Sequence, residues 1–320
     1  MRRSIHRFVL TACMVLVGTP LPALAADTIT IGVVGTGSAM NWPMLIAVAK
    51  GFAKEQNLIL DVVSAPSSAA VQQQVASGAV AIGEGGLPDV LHAIDQGAPV
   101  SVLRIQAKSS PYVMLAKPSI SSYGMLKGKI ISIGGPKDIT RLYLDRMLEP
   151  NNIKTGDYDV VYAGASGARF AALQAGAIDA TLLAPPFSVN AERLGFARLG
   201  LTADYVKEFP YTGFSVNSAW ARQHKDVIAR FMKIIALGTE WLKDPKNKAE
   251  AVEILSKDTK TDPNDAAKTW DMFMQIDMYD VDGSPDRLGL ETLTKALKAI
   301  GDISGDAALA RFYDATLLVP

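Results

Sequence analysis

Cysteine occurs once in the 320 residues, as Cys13, inside an N-terminal apolar stretch that reads as removable. Once that stretch is gone no thiol remains, which excludes disulfides, thiolate metal sites and cysteine nucleophiles together. Histidine is almost as scarce. His6 belongs to the same leader, while His92 and His224 stand more than a hundred positions apart on helical segments read as exposed, poor material for a metal centre or a general base. Neither sign of charge dominates either. The chain has 32 basic and 32 acidic residues, and loss of Arg2, Arg3 and Arg7 with the leader lowers the basic count to 29. A slightly acidic chain is a poor partner for nucleic acid. No later segment reaches the ~20 uninterrupted apolar residues that a membrane span requires, and there is no repeat of fixed period and no low-complexity tract.

Complete catalytic fingerprints are missing as well. Gly35-Thr36-Gly37 and Gly83-Glu84-Gly85 each lack the third glycine of a dinucleotide loop, and residues 124–129 fall one short of a phosphate-binding loop. Gly164-Ala165-Ser166-Gly167 is not the strained elbow of a serine hydrolase. No cofactor is implied.

What is present begins with an export signal. Three arginines precede an apolar run over residues 8–17, and Ala23-Leu24-Ala25 supplies the small-residue cleavage pattern. Removal of residues 1–25 and a periplasmic mature chain are expected. Leu10-Thr11-Ala12-Cys13 loosely resembles a lipid-attachment box, but a true box closes the apolar run, and here it continues to Val17. About 295 residues then remain, more than one core usually serves, and with 49% apolar residues the chain can fill two.

Residues 43–83 carry the clearest pattern. An apolar helix-like stretch leads to an alternating run at 59–63, then a second helix-like stretch from Ser67 to Ser77-Gly78, then Ala79-Val80-Ala81-Ile82-Gly83. This is a β-α-β-α-β reading with short Gly, Ser and Pro loops, the kind that builds a parallel sheet with binding loops along one edge. Strands at 28–34, 59–63, 80–83 and 100–106, with helices starting near Trp42, Ser67 and Leu87, form a first lobe. Strands near 112–116, 129–133, 158–162, 177–183 and 197–199, with helices near 139–148, 168–175 and 187–194, form a second. From Tyr211 a strand-like 213–216 leads into long helices that should wrap back over lobe one. Asp244-Pro245, Thr261-Asp262-Pro263 and Ser284-Pro285 read as helix starts. Lobe one is thus 26–110 plus 211–320, lobe two 111–210, with crossovers near 110–112 and 209–211.

The order of these features resembles the periplasmic substrate-binding proteins of ABC importers, in the class for nitrate, sulfonates, taurine and thiamine pyrimidine precursors. The resemblance rests on 29–33, Pro43, Ala49-Lys50-Gly51-Phe52, 76–83, Gln96-Gly97-Ala98-Pro99-Val100, Leu126-Lys127-Gly128-Lys129 and 172–180. It implies a type II-like two-lobe α/β fold in which each lobe is a mainly parallel sheet flanked by helices. It also implies a cleft that closes over a small-molecule ligand, an ABC permease as partner, and a monomer.

The βα-loops that would face this cleft expose backbone N–H groups and helix N-termini. The first, 35–42, offers Ser38 and Asn41 for hydrogen bonds and Trp42 as a stacking face, although Trp42 could instead pack the core. Its Trp42-Pro43 replaces the His-Pro common in the family, which favours a planar or partly apolar ligand over nitrate. The second loop is Glu84-Gly85-Gly86-Leu87-Pro88. A third, 134–141, contains Asp138, a helix cap that could also meet ligand, and Thr140. A fourth holds Ser166, and a fifth Pro186 and Phe187, with Ala184 where the family commonly has an acid. Lys137, Arg141 and Arg169 are the candidate cations. The ligand reading is a small organic molecule, either an organic anion such as a sulfonate or carboxylate, or a heteroaromatic. The alternatives are a synthase resembling the thiamine-pyrimidine enzymes, whose cysteine-rich motif is absent here, or the receptor of a tripartite carrier or sensor kinase.

Overall fold

The computed structural model describes residues 25–207, 210–283 and 287–304, with Phe312 and Asp314. The expected signal segment up to residue 24, Glu208 and Phe209 of the second crossover, and the Ser284-Pro285 helix start lie outside the described residues.

The first half of the chain alternates strand and helix: β1 (Asp27–Val34), α1 (Trp42–Ala49), α2 (Phe52–Glu55), β2 (Leu58–Ala65), α3 (Ser68–Ser77), β3 (Ile82–Gly86), α4 (Leu87–Asp95) and β4 (Val100–Ala107). A second series follows: β5 (Val113–Ala116), β6 (Ile130–Ile133), α5 (Ile139–Leu148), β7 (Asp159–Tyr162), α6 (Ser166–Gln174), β8 (Ala180–Leu183), α7 (Phe187–Arg193), β9 (Ala197–Leu201) and α8 (Thr202–Tyr205). The chain then returns through β10 (Thr212–Asn217), α9 (Ser218–Gln223), α10 (Lys225–Lys243), α11 (Lys248–Thr259), α12 (Pro263–Gln275) and α13 (Arg287–Ala299).

These strands form two five-stranded sheets, β2-β1-β3-β10-β4 and β7-β6-β8-β5-β9. In each, one strand runs against its neighbours: β10 is antiparallel to β3 and β4, and β5 to β8 and β9. Both are the first strands after a crossover. Each crossover therefore enters the opposite sheet between two strands and ties the sheets together at one place, beside Tyr112 and Tyr211. The rings of these two tyrosines meet edge to face at 5.5 Å.

Local chemistry explains most of the element boundaries. Ser67 caps α3 by accepting from the Ala70 N–H (3.2 Å), and Asp138 caps α5 through the Thr140 N–H (2.9 Å). Asp262 caps α12, whose first residue is Pro263. Asp244-Pro245 starts only a single tight turn, and α11 begins at Lys248. The Ile29, Ile31 and Val33 face of β1 joins Met44, Phe214, Phe231 and Ile234 in a core beneath α1 and α10, where each buried large side chain contributes about 1.5–3 kcal/mol. Those two helices cross closely because Gly238 has no side chain. A Cβ there would lie 2.2 Å from the Pro43 carbonyl oxygen.

Two expectations change. The third strand does not stop at Gly83: Glu84, Gly85 and Gly86 form its second half rather than a loop, because Phe214 pairs with Glu84 and Thr212 with Gly86 across an antiparallel ladder. That partner lies far along the chain, so local pattern could not reveal it. The C-terminal helices also do more than cover lobe one. Met272 and Ile276, the latter next to the end of α12, pack against the second-lobe core, and Arg193 of α7 pairs with the buried Asp265 of α12 at 3.0 Å.

Candidate ligand-binding site

The C-terminal ends of the strands and the N-termini of α3, α4, α5 and α6 converge between the two sheets on a narrow cavity of about 50 Å³. Its floor is the crossover pair, Tyr112 and Tyr211. Backbone contacts close its mouth: the Ala165 N–H donates to Pro66 O at 3.1 Å and the Ala39 N–H to Pro185 O at 3.4 Å. At Gly35 and Gly164, both with positive φ, an added Cβ would lie 2.9 Å from Ala165 Cβ and 2.7 Å from Pro66 O. The two lobes therefore touch through backbone, and the remaining space holds only a few water-sized groups.

The lobe-two wall is built around Arg169, which is 1% exposed. Its Nε donates to Leu182 O (3.1 Å), its Nη1 to Gly164 O and its Nη2 to Ser166 Oγ (3.1 Å). The guanidinium lies over the Tyr112 ring, 5.7 Å from its centre, a favourable cation–π placement. Ser166 accepts a second hydrogen bond from the Ala184 N–H (3.1 Å). It lines the cavity, and its acceptor capacity is spent on holding Arg169 and the turn after β8. Phe187 adds an apolar face beside Gly167.

The lobe-one wall differs. Glu84, 3% exposed, projects from the middle of β3 with Oε1 lacking a hydrogen-bond partner. Burial raises its pKa from 4.5 to about 7, and the nearby Thr212 hydroxyl opposes this. That hydroxyl favours the charged form without reaching hydrogen-bond geometry, for Thr212 Oγ1 is itself unpartnered. Gly85 and Gly86 line the same wall. A Cβ at Gly85 would come within 2.6 Å of Ser68 Oγ, so the glycine lets the start of α3 sit against the strand, where Ser68 Oγ accepts from the Gly86 N–H at 3.0 Å. Behind it, burial first and facing Asp138 second push the Asp89 carboxyl well above its ordinary range.

Seven of the residues singled out from sequence meet at this cavity: Ser38, Glu84, Gly85, Gly86, Asp138, Ser166 and Phe187. The other four lie elsewhere. Trp42 is fully buried behind the wall, its Nε1–H donating to Ala251 O at 3.0 Å and its ring edge-on to Phe273, so its face packs protein. Thr140 is also fully buried. Its hydroxyl donates to Asp138 Oδ1 and accepts from the Gly134 N–H (2.8 Å), so its only proton is used within the protein. Asn41 lines an outer groove between α1, β2 and α11, and Pro186 an outer cleft beside the α11–α12 connection. Of the candidate cations only Arg169 reaches the cavity. Arg141 pairs with Asp145 (2.9 Å), and Lys137 is exposed. His92, read as exposed, is buried beside Asp302.

Sequence reasoning missed Ser67, Ser68, Tyr112, Tyr211 and Thr212 on the cavity wall. A signal existed for some of them: a serine pair at a helix start, and one tyrosine at each proposed crossover. Among the described residues no group of three or more His, Cys, Asp and Glu side chains could hold a metal ion, and no helix is long and apolar enough to cross a membrane.

With this geometry in place, comparison with known proteins is direct. The family described as NMT1/THI5-like matches residues 40–249. The chain belongs to the NMT1/THI5-like family. No curated protein matches the sequence. The ligand-binding component of an ABC-type import system from Staphylococcus aureus, solved with zinc bound, is 15% identical with a TM-score of 0.78, covering 91% of this chain and 98% of that one. The alkanesulfonate-binding protein of Xanthomonas axonopodis, bound to MOPS, is 15% identical with a TM-score of 0.72, covering 92% and 99%. The periplasmic nitrate-binding protein of Synechocystis is 14% identical with a TM-score of 0.66, covering 75% and 69%. This NMT1/THI5-like chain therefore has the two-lobe fold of periplasmic binding proteins.

Proposed function

We propose that this protein is the extracytoplasmic solute receptor of an ABC importer, exported by cleavage after Ala25 and working as a periplasmic monomer that delivers its ligand to a permease. The ligand is a small organic molecule, an organic anion or a heteroaromatic, held between lobe one (26–110 plus 211–320) and lobe two (111–210). The carrying observation is the interlobe cavity itself, whose polar walls come from both sheets and whose floor is the crossover tyrosines. A site shared in this way couples binding to closure, because a solute that contacts both walls stabilises the closed arrangement over the open one. We read the protein as a binding protein and not an enzyme, a reading supported by the binding-protein character of the similar structures.

A thermal-shift screen with sulfonates, carboxylates, aromatic acids and pyrimidines tests this. A ligand of the folded state raises the unfolding midpoint by linkage, and such a shift from at least one class is expected. Saturating ligand should also reduce the radius measured by X-ray scattering. A ligand that binds without any compaction would count against closure around the cavity.

A further inference from the structure

Two polar atoms of the lobe-one wall, Glu84 Oε1 and Thr212 Oγ1, are buried at the cavity with no partner. The β3–β10 ladder puts them on one sheet face, since Phe214 is opposite Glu84 and Thr212 opposite Gly86. Among the described residues no Lys, Arg or His side chain pairs with Glu84. Arg169, on the opposite wall, is anchored to Leu182 O, Gly164 O and Ser166 Oγ. Arg104 of β4 is turned to the carbonyls of Asp280, Val281 and Asp282. Among the described residues the titratable groups that sense Glu84 are the Tyr211 and Tyr279 hydroxyls. Asp138 and Arg169 line the far wall, and Asp89 lies in the first turn of α4. A buried carboxyl left unpaired is unfavourable, and a native structure keeps one where something else supplies the donor. Arg169, for its part, uses three of a guanidinium's five N–H groups on protein, which leaves two for an oxygen-bearing partner.

We propose that Glu84 is the recognition group for a nitrogen-borne hydrogen-bond donor of the solute, while Arg169 meets an oxygen-bearing edge of the same molecule from the other wall. The favoured ligand is then a small amino-bearing acid or amide and not a bare anion. This rests on the receptor reading and narrows it. Thr212 offers its own unpartnered hydroxyl to the same ligand beside the carboxyl.

The test is calorimetric titration of matched pairs that differ in one amino group: β-alanine against propionate, taurine against ethanesulfonate, and 4-aminobenzoate against benzoate, with nitrate as the bare anion. In at least one pair the amino member is expected to bind about tenfold tighter or better. Its affinity should rise from about pH 5.5 to about pH 8 as the carboxyl ionises, a trend that Glu84→Gln removes along with the preference. Thr212→Val should weaken the amino member by a few-fold. The ratio in the wild-type protein needs no variant, so a poorly folded Glu84→Gln does not block the decision. A bare anion or donor-free partner that binds as tightly as the best amino compound, with or without Glu84→Gln, overturns the inference and leaves the receptor reading standing. If no compound in the set binds, the inference is overturned, and the receptor reading is decided separately by the wider thermal-shift screen.

Discussion

The two walls of the cavity are made by the same device, strand ends meeting helix N-termini, yet they stand in different states. On lobe two, Arg169 and Ser166 are tied to carbonyl oxygens, a backbone N–H and each other. On lobe one, Glu84 and Thr212 each keep a buried atom without a partner. The lobe-two wall is thus preorganised, since its side chains are already positioned before ligand arrives. The lobe-one wall holds unmet hydrogen-bonding capacity, which costs stability. On the proposed reading, anchoring and discrimination are divided between the lobes.

The largest expected effect sharpens this contrast by separating the lobe-one wall from the core behind it. Trp42→Ala should cost about 4 kcal/mol of unfolding free energy, the usual loss for a fully buried tryptophan, and leave ligand affinity nearly unchanged. Denaturant unfolding beside calorimetric titration reads both. Retained stability with lost binding would return Trp42 to the site.

Arg169→Ala comes next. It leaves the Leu182 and Gly164 carbonyls and Ser166 without their donor and removes the cation from above Tyr112, so about 3 kcal/mol of stability should go, together with binding. A variant as stable as wild type would break the claim that this wall is held by Arg169.

A smaller effect belongs to Glu84 and depends on pH. Its folded pKa of about 7 lies above the ordinary 4.5, so below about pH 4.5 both folded and unfolded chains carry the proton. As pH rises toward 7 the unfolded chain ionises first, and stability falls, by at most about 3 kcal/mol. Asp89 acts in the same direction. Buried His92, whose pKa is lowered chiefly by burial, acts oppositely as pH falls. The difference between wild type and Glu84→Gln isolates the term. Unfolding curves without ligand should converge with Glu84→Gln at low pH and separate by pH 7, wild type the less stable. Parallel curves would mean that Glu84 is not held unpaired.

The contrast between walls also shows what a sequence can disclose. Helix α5 begins and ends where the Asp138 cap and apolar spacing place it, because capping is decided within a few residues. Arg169 was visible as a cation but its direction was not, since the carbonyls that hold it come from the turn at Gly164 and from β8. Trp42 presented the same aromatic face whether it met ligand or core. Its partners Ala251 and Phe273 lie more than two hundred positions away. Local pattern places Glu84 in a loop because the strand that makes it part of a sheet is β10, which arrives only after the whole of lobe two has been built. Local chemistry discloses caps, turns and strand starts, while wall residues depend on pairings that cross the lobes.

The most direct measurement is a crystal structure with the solute that gives the largest thermal shift. The account predicts density between the lobes, with a solute atom within hydrogen-bond distance of Glu84 Oε1 and an oxygen of the same molecule against Arg169. Solute bound instead in the outer groove between α1, β2 and α11, with the interlobe cavity unchanged, would contradict it.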